Sequence, residues 1–527
     1  MLRRTATTIL ALTLALSACG QSTSAPAKSI SAPTTPQSVS PTVGSSAAVQ
    51  PRAQASTPAT PALPPLKLSP DKGLIGSTFT AALSGLQPGQ QVAFEWGTWD
   101  GSYTTTLSAE TVQYDRRSFR AKRTPLATAK ANDQGSVEAT ITAPEDYGEV
   151  HDVFARVDGR DVARGGFRVE MSATIMPSQG PIGTPITMTV KGMAAMLYSG
   201  ATLAVRYDNA YMGILTATTT GGTAVAHFRA AGPVGQHIVV LNAGTTPAYL
   251  NIAQSPYDFF YSHLPDKEDI QLPFAVTSDA GPPANVLDWP DSTRVANLPP
   301  GTPRTAFDPS AGTVAQGTLE PTSGPIRTHS SLHVTGLTPN GPVDVYWVTA
   351  RGNRVTPSGW ALAQSPLFSG LAAADGSLTA AIDIPDDLGG WHAVKLVQAN
   401  QVVGQVPFFV QRSLEGVSAT RVKAGETVVV HLKGIGWTEL DNGAAMTYDN
   451  AFTGYVCGFN SDGDVTLQVV ATGAPGTHLI DLYPMVFAGK DQKWWYWTPV
   501  LTYDRDFPAL SLGYDLPAYR LAIEIVQ

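Results

Sequence analysis

Cysteine is nearly absent. The 527 residues contain two, Cys19 and Cys457, which excludes a disulfide framework and any cysteine-rich metal spacing. Charge is also scarce: Asp, Glu, Lys and Arg make up 14% of the chain, well under the usual quarter or so. The formal net charge of -8 offers no general attraction to nucleic acid, and no nucleic-acid-binding motif is present. Beyond the first twenty residues no apolar run approaches the roughly 18 residues of a membrane span. HExxH, GxSxG and phosphate-binding glycine loops are missing. No catalytic residue, metal site or cofactor is expected.

What is present begins with "MLRRTATTILALTLALSACGQ". Two arginines precede an apolar run from about Ile9 to Leu16, too short to span a bilayer, as in an export signal. The tetrad Leu16, Ser17, Ala18, Cys19 resembles the lipobox of bacterial lipoproteins. That resemblance implies cleavage before Cys19 and lipid on its sulfur and amine, so the rest of the chain is held at an extracytoplasmic membrane face (the outer membrane where the source has one). With Cys19 lipidated, Cys457 has no partner for a disulfide. Residues 20–65 are almost entirely Ser, Thr, Ala, Pro, Gln and Val and read as a disordered tether after the 1–19 signal.

The remainder lies over itself. "LSPDKGLIGSTFTAALSGLQPGQQVAFEW" from Leu68 matches "LEPTSGPIRTHSSLHVTGLTPNGPVDVYW" from Leu319, pairing Trp96 with Trp347. "IGTPITMTVKG" then matches "AGETVVVHLKG", and "RYDNAYMGI" matches "TYDNAFTGY". The order is A, B, A, B, with domains A1 (66–171), B1 (172–278), A2 (318–412) and B2 (413–527). The Pro/Gly/Asp-rich segment 279–317 reads as a linker between the two units.

Runs such as "ITMTVKG", "TVVVHLKG" and "TLQVV" alternate and are separated by Gly, Pro and Asn/Asp turns. This is the pattern of antiparallel β-sandwiches with one face of each strand buried. The expected fold is all-β, four tandem immunoglobulin-like sandwiches arranged as a duplicated pair. "IMPSQGPIGTPITMTVKGM" resembles the start of an IPT/TIG-type immunoglobulin-like domain, clearest at residues 68–86 and 176–193. The resemblance implies a stalk, spacer or binding module, and the fold by itself implies no activity.

Each domain places a histidine shortly after a glycine as a late strand begins: His151, His237, His392 and His478. One per domain suits a corner hydrogen bond better than a metal site, which needs ligands converging in one place. Cys457, His478 and Asp481 suggest a thiol nucleophile with its base, but the overlay pairs Cys457 with Thr216 and Asp481 with Val240. The acidic pairs Glu145/Asp146 and Asp386/Asp387 follow a proline and read as turns. "NSDGD" lacks the distal glutamate of a calcium loop and reads as a hairpin turn.

Two features admit a binding reading beside a structural one, which for the aromatic runs is packing between adjacent domains. "KWWYW" sets Trp494, Trp495, Tyr496 and Trp497 in a row, so one pair faces away from the other in a strand and offers a stacking surface for a sugar ring or an anchor for a protein. Tyr257, Phe259, Phe260 and Tyr261 form a comparable patch in the first copy. An expansion in A1 carries Arg116, Arg117, Arg120, Lys122 and Arg123, read as a solvated loop or as a contact for a polyanionic glycan or lipid head group. The expectation is a non-catalytic, lipid-anchored surface scaffold or adhesion module. A carbohydrate-binding envelope protein comes second and a polysaccharide hydrolase third. The expected partners are the membrane, through the lipid, and an envelope glycan or surface protein.

Overall fold

The computed structural model describes residues 63–107, 112–195, 202–244, 269–290, 315–352, 360–437, 441–458, 461–485, 498–506 and 516–527. The Cys19 tetrad, the tether up to residue 62, Tyr257–Tyr261 and Trp494–Trp497 lie outside them.

Four sandwiches follow one plan, a three-stranded sheet facing a larger one. In A1 the small sheet orders Lys67–Ser69, Thr78–Leu83 and Val137–Thr142, and the large one orders Lys72–Leu74, Arg160–Glu170, Glu149–Val157, Gln91–Leu107 and Val112–Lys130. B1 and A2 repeat the three-plus-five arrangement. The opening strand of each A domain and of B1 changes sheets at Pro70, Pro177 or Pro321, where proline removes a ladder donor. Its second half runs parallel to the last strand, as Lys72–Leu74 does along Arg160–Glu170. Alternation puts one face inward: Val137–Thr142, Leu378–Asp383 and Val465–Val470 each alternate buried and exposed residues without a break. Trp96 and Trp347 sit fully buried in the A cores.

The A1 expansion is strand rather than loop. Gln91–Leu107 and Val112–Lys130 pair along their whole length, with register shifts at Phe94/Glu95 and Thr104/Thr105, and the hairpin outgrows its sister, Pro342–Gly352 with Trp360–Leu371.

The segment 279–290 is laid onto B2 as sheet. Val286–Asp288 pairs antiparallel with Ala518–Val526, and Asp279 caps the neighbouring strand, taking Thr477 N at 2.8 Å and Thr477 Oγ1 at 2.6 Å.

B1 and B2 share a core. One apolar cluster joins Phe228 and Phe274 of B1 to Leu479, Tyr483 and Ala522 of B2, with Trp391 and Phe409 of A2. B2 also sends a segment across: Ile214 N donates to Pro499 O and Leu501 N to Ile214 O, both at 2.9 Å. This closes the B1 edge strand Ala210–Thr216 against further pairing. The segment ends in a helical turn, Tyr503–Asp506. Buried Asp506 accepts from Tyr103 Oη of A1 at 2.8 Å and from Thr218 N of B1 at 3.0 Å, so one carboxylate ties three domains.

Candidate functional site

The histidines fall into two kinds of corner. In the A domains the imidazole lies under the core tryptophan, with His151 4.5 Å from Trp96 and His392 4.5 Å from Trp347. Both ring nitrogens face backbone carbonyls: Gly97 and Tyr147 around His151, Val348 and Leu388 around His392. Burial pulls the His392 pKa below the ordinary histidine value, outweighing the pull of Asp387. In the B domains the histidine stacks on the tyrosine of the "YDN" turn and bonds the turn's aspartate. His237 meets Tyr207 and Asp208, and His478 meets Tyr448 and Asp449, the latter at 2.6 Å. That hydrogen bond raises the His478 pKa.

The acidic pairs are divided between two tasks. Asp146 and Asp387 accept the Trp96 and Trp347 indoles at 2.8 and 2.9 Å and cap the next backbone N–H at 2.8 Å. Glu145 and Asp386 reach the following B domain, pairing with Lys191 at 3.4 Å and Lys433 at 2.8 Å. Beside them the chains approach so closely that a Cβ on Gly148 would overlap Gly192 O, and one on Gly389 would overlap Gly434 O. The acids and glycines therefore build the same A–B junction twice.

Cys457, His478 and Asp481 do not converge. Cys457 ends the strand Ala451–Cys457 opposite Gly443 and packs against Ala350, Leu388 and Trp437 at the A2–B2 boundary. Asp481 turns to B1. It accepts from Arg229 Nη2 at Oδ1 and from Arg229 Nε at Oδ2, the latter at 3.3 Å, and Arg520 Nη1 stands 3.3 Å from the same Oδ2. All three side chains are buried. Arg229 also donates to Leu521 O at 2.6 Å and Arg520 to His227 O at 3.1 Å, while Asp288 takes Arg520 Nε at 3.1 Å. Two arginines thus balance two aspartates. The overlay on its own missed this network, although it held the signal: Arg229 and Asp481 both replace valines of the sister domain.

The basic strand is largely neutralised within A1. Asp100 holds Lys122 at 2.5 Å and Arg120 at 3.1 Å. Arg123 pairs with Asp161 at 2.9 Å and lies over the Phe154 ring. Arg117 is buried against Thr202 of B1. Lys122 and Arg123 hold the carboxyls of Asp100 and Asp161 below their usual range. Arg116 lies in the same strand, opposite Thr104.

Against the Arg229–Asp481–Arg520 network opens a cavity of about 490 Å³. B1 contributes Pro185 and His227, segment 279–290 contributes Pro283, Asp288, Trp289 and Pro290, and B2 contributes Tyr503 and Arg520. Among the described residues no group of three His, Cys, Asp or Glu side chains is placed to hold a metal ion.

No family model matches the chain, and no curated protein matches it. Among solved structures it is similar to the Escherichia coli adhesin FdeC (15% identity, 66% of this chain and 96% of that one, TM-score 0.14). It is also similar to the Yersinia pseudotuberculosis adhesin InvE (11% identity, 41% of this chain and 59% of that one, TM-score 0.19). A third is the ICAM-5 D1–D4 ectodomain fragment (12% identity, 88% of this chain and 99% of that one, TM-score 0.16). Likenesses at this level say nothing of function.

Proposed function

We propose that this chain is a lipid-anchored, extracytoplasmic envelope protein whose four immunoglobulin-like sandwiches form a non-catalytic binding body, a scaffold or adhesion module presenting fixed faces. The observation that carries this reading is the union of B1 with B2. The two domains share an apolar core and a buried Arg–Asp–Arg network, whereas inter-domain contacts within a chain are ordinarily smaller and permit relative motion. A fixed body suits recognition better than a stalk of independent beads does.

The hydrolase reading has the weaker support. Its candidate carboxylates are engaged in tryptophan contacts and lysine pairs at the A–B junctions. The IPT/TIG resemblance and the lipobox supply the envelope location.

The test is expression of the full chain and of Cys19→Ser in a bacterial host fed a labelled fatty acid. The wild type is expected to carry label and to sediment with membranes, and the variant to be unlabelled and soluble. An unlabelled wild type would remove the anchor. For binding, the full chain is incubated with isolated envelope fractions, and failure to retain any component would remove the binding role.

A further inference from the structure

The cavity between B1, segment 279–290 and B2 has the size of a small-ligand site, ordinarily roughly 300–1,000 Å³, and its wall has two characters. Pro185, Pro283, Pro290 and half-buried Trp289 give apolar surface. Arg520, Asp288 and His227 give hydrogen-bonding groups.

Arg520 is the telling residue. It is 4% exposed, held at Nε by Asp288 and at Nη2 by His227 O, and its Nη1 is ion-paired with Asp481 at 3.3 Å. Its guanidinium is thus fully engaged and fixes the Asp288 carboxylate at the cavity wall. Asp288, whose side chain is 48% exposed, lies beside it and supplies an acceptor. A carboxylate acceptor beside an indole face suits a sugar ring, whose hydroxyls donate hydrogen bonds and whose C–H groups pack on an aromatic face.

Charge narrows the ligand further. Arg229 and Arg520 are matched by Asp481 and Asp288, so the site holds no net charge to attract an anion or a cation. Its ligand is therefore neutral and rich in hydroxyls, with a flat C–H face for an aromatic ring.

We propose that this cavity binds a neutral sugar ring of an envelope glycan, with Trp289 against the ring face and Asp288, held by Arg520, accepting from its hydroxyls. The assignment rests on the reading of the chain as a binding body. It places the sugar at the B1–B2 junction, built partly by a segment whose composition reads as a linker.

The experiment titrates the purified full chain with the methyl glycosides of glucose, galactose, mannose and N-acetylglucosamine, following saturation transfer by NMR. Acetate, galacturonate and a peptide of residues 31–42 serve as competitors. At least one neutral glycoside is expected to bind. Trp289→Ala should weaken it about tenfold or more, as loss of a central aromatic anchor does, and Trp289→Phe should restore most of the affinity. Asp288→Asn, which keeps the shape but changes the hydrogen-bonding pattern, should also weaken binding, and it stands in should Trp289→Ala fail to fold.

The proposal falls if no neutral glycoside binds, if an anion or the peptide binds more tightly, or if Trp494→Ala abolishes sugar binding while Trp289→Ala leaves it intact. Envelope retention separates the two readings. A Trp289→Ala chain that still retains envelope components but shows unchanged sugar affinity overturns the sugar site and leaves the binding body standing.

Discussion

The indole of Trp347 lies on the imidazole of His392, with centroids 4.5 Å apart and planes inclined by 16°, while its Nε1 donates to Asp387 at 2.9 Å. Trp96, His151 and Asp146 repeat the arrangement in A1. Each A domain thus spends its buried histidine and one acid on a single core tryptophan. Trp347→Phe removes the indole donor from a buried carboxylate and leaves a void, for an expected loss of about 2–4 kcal/mol. Urea denaturation reads it as a lower midpoint with an unchanged slope, and Trp96→Phe should behave alike.

His392 and His478 respond oppositely to pH. Burial depresses the pKa of His392, so the unfolded chain binds its proton more readily than the folded one. Its contribution to stability is full above the ordinary value of 6.5 and is lost as the pH falls toward the folded value. His478 is raised, chiefly by Asp449. Its contribution is full below 6.5 and is lost as the pH rises through the folded value. Unfolding free energies measured from pH 5 to 8 should lose slope on the acid side in His392→Gln and on the alkaline side in His478→Gln.

Neighbouring acids should differ sharply in worth. Asp386 is part-exposed and pairs with Lys433 and Arg327, and pairs of that kind contribute about 0–1 kcal/mol. Asp387 is 2% exposed and holds the Trp347 indole, the Leu388 N–H and Arg351. Asp386→Ala should therefore cost under about 1 kcal/mol, and Asp387→Ala about 2–4 kcal/mol. Equal losses in thermal and urea melts would contradict this division.

What could be read from the sequence is what the copies share. The sandwiches, the corner histidines and the turns at Asp208–Asn209 and Asp449–Asn450 recur because each domain needs them for itself. The A–B junction is repeated too, but "PED" reads only as a turn and "VKG" only as the end of a strand, since the pairing of Glu145 with Lys191 depends on a domain angle that no local pattern encodes. The B1–B2 union was hidden for the opposite reason. It occurs once, so its residues appear in the overlay as mismatches, Arg229 against Val470 and Asp481 against Val240. Val286–Asp288 escaped because a strand of three residues is too short to show alternation. The A1 hairpin escaped because its extension is rich in Thr, Ser and charged residues, with Asp100 taking charges that look free in one dimension.

Those mismatches can be tested directly. Asp481→Val restores the residue of the sister domain but strands Arg229 and Arg520 in a buried interface, with side-chain exposures of 7% and 5%. Breaking such a network from one side costs about 3–5 kcal/mol, because charge remains buried without its counter-charge. Adding Arg229→Val removes one stranded cation and leaves Arg520 with Asp288, so the double variant should recover much of the loss. Denaturation of the wild type, both single variants and the double variant forms a cycle whose coupling should exceed about 1 kcal/mol. Additive losses would mean that Arg229 and Asp481 contribute separately, and that the apolar cluster alone holds B1 to B2.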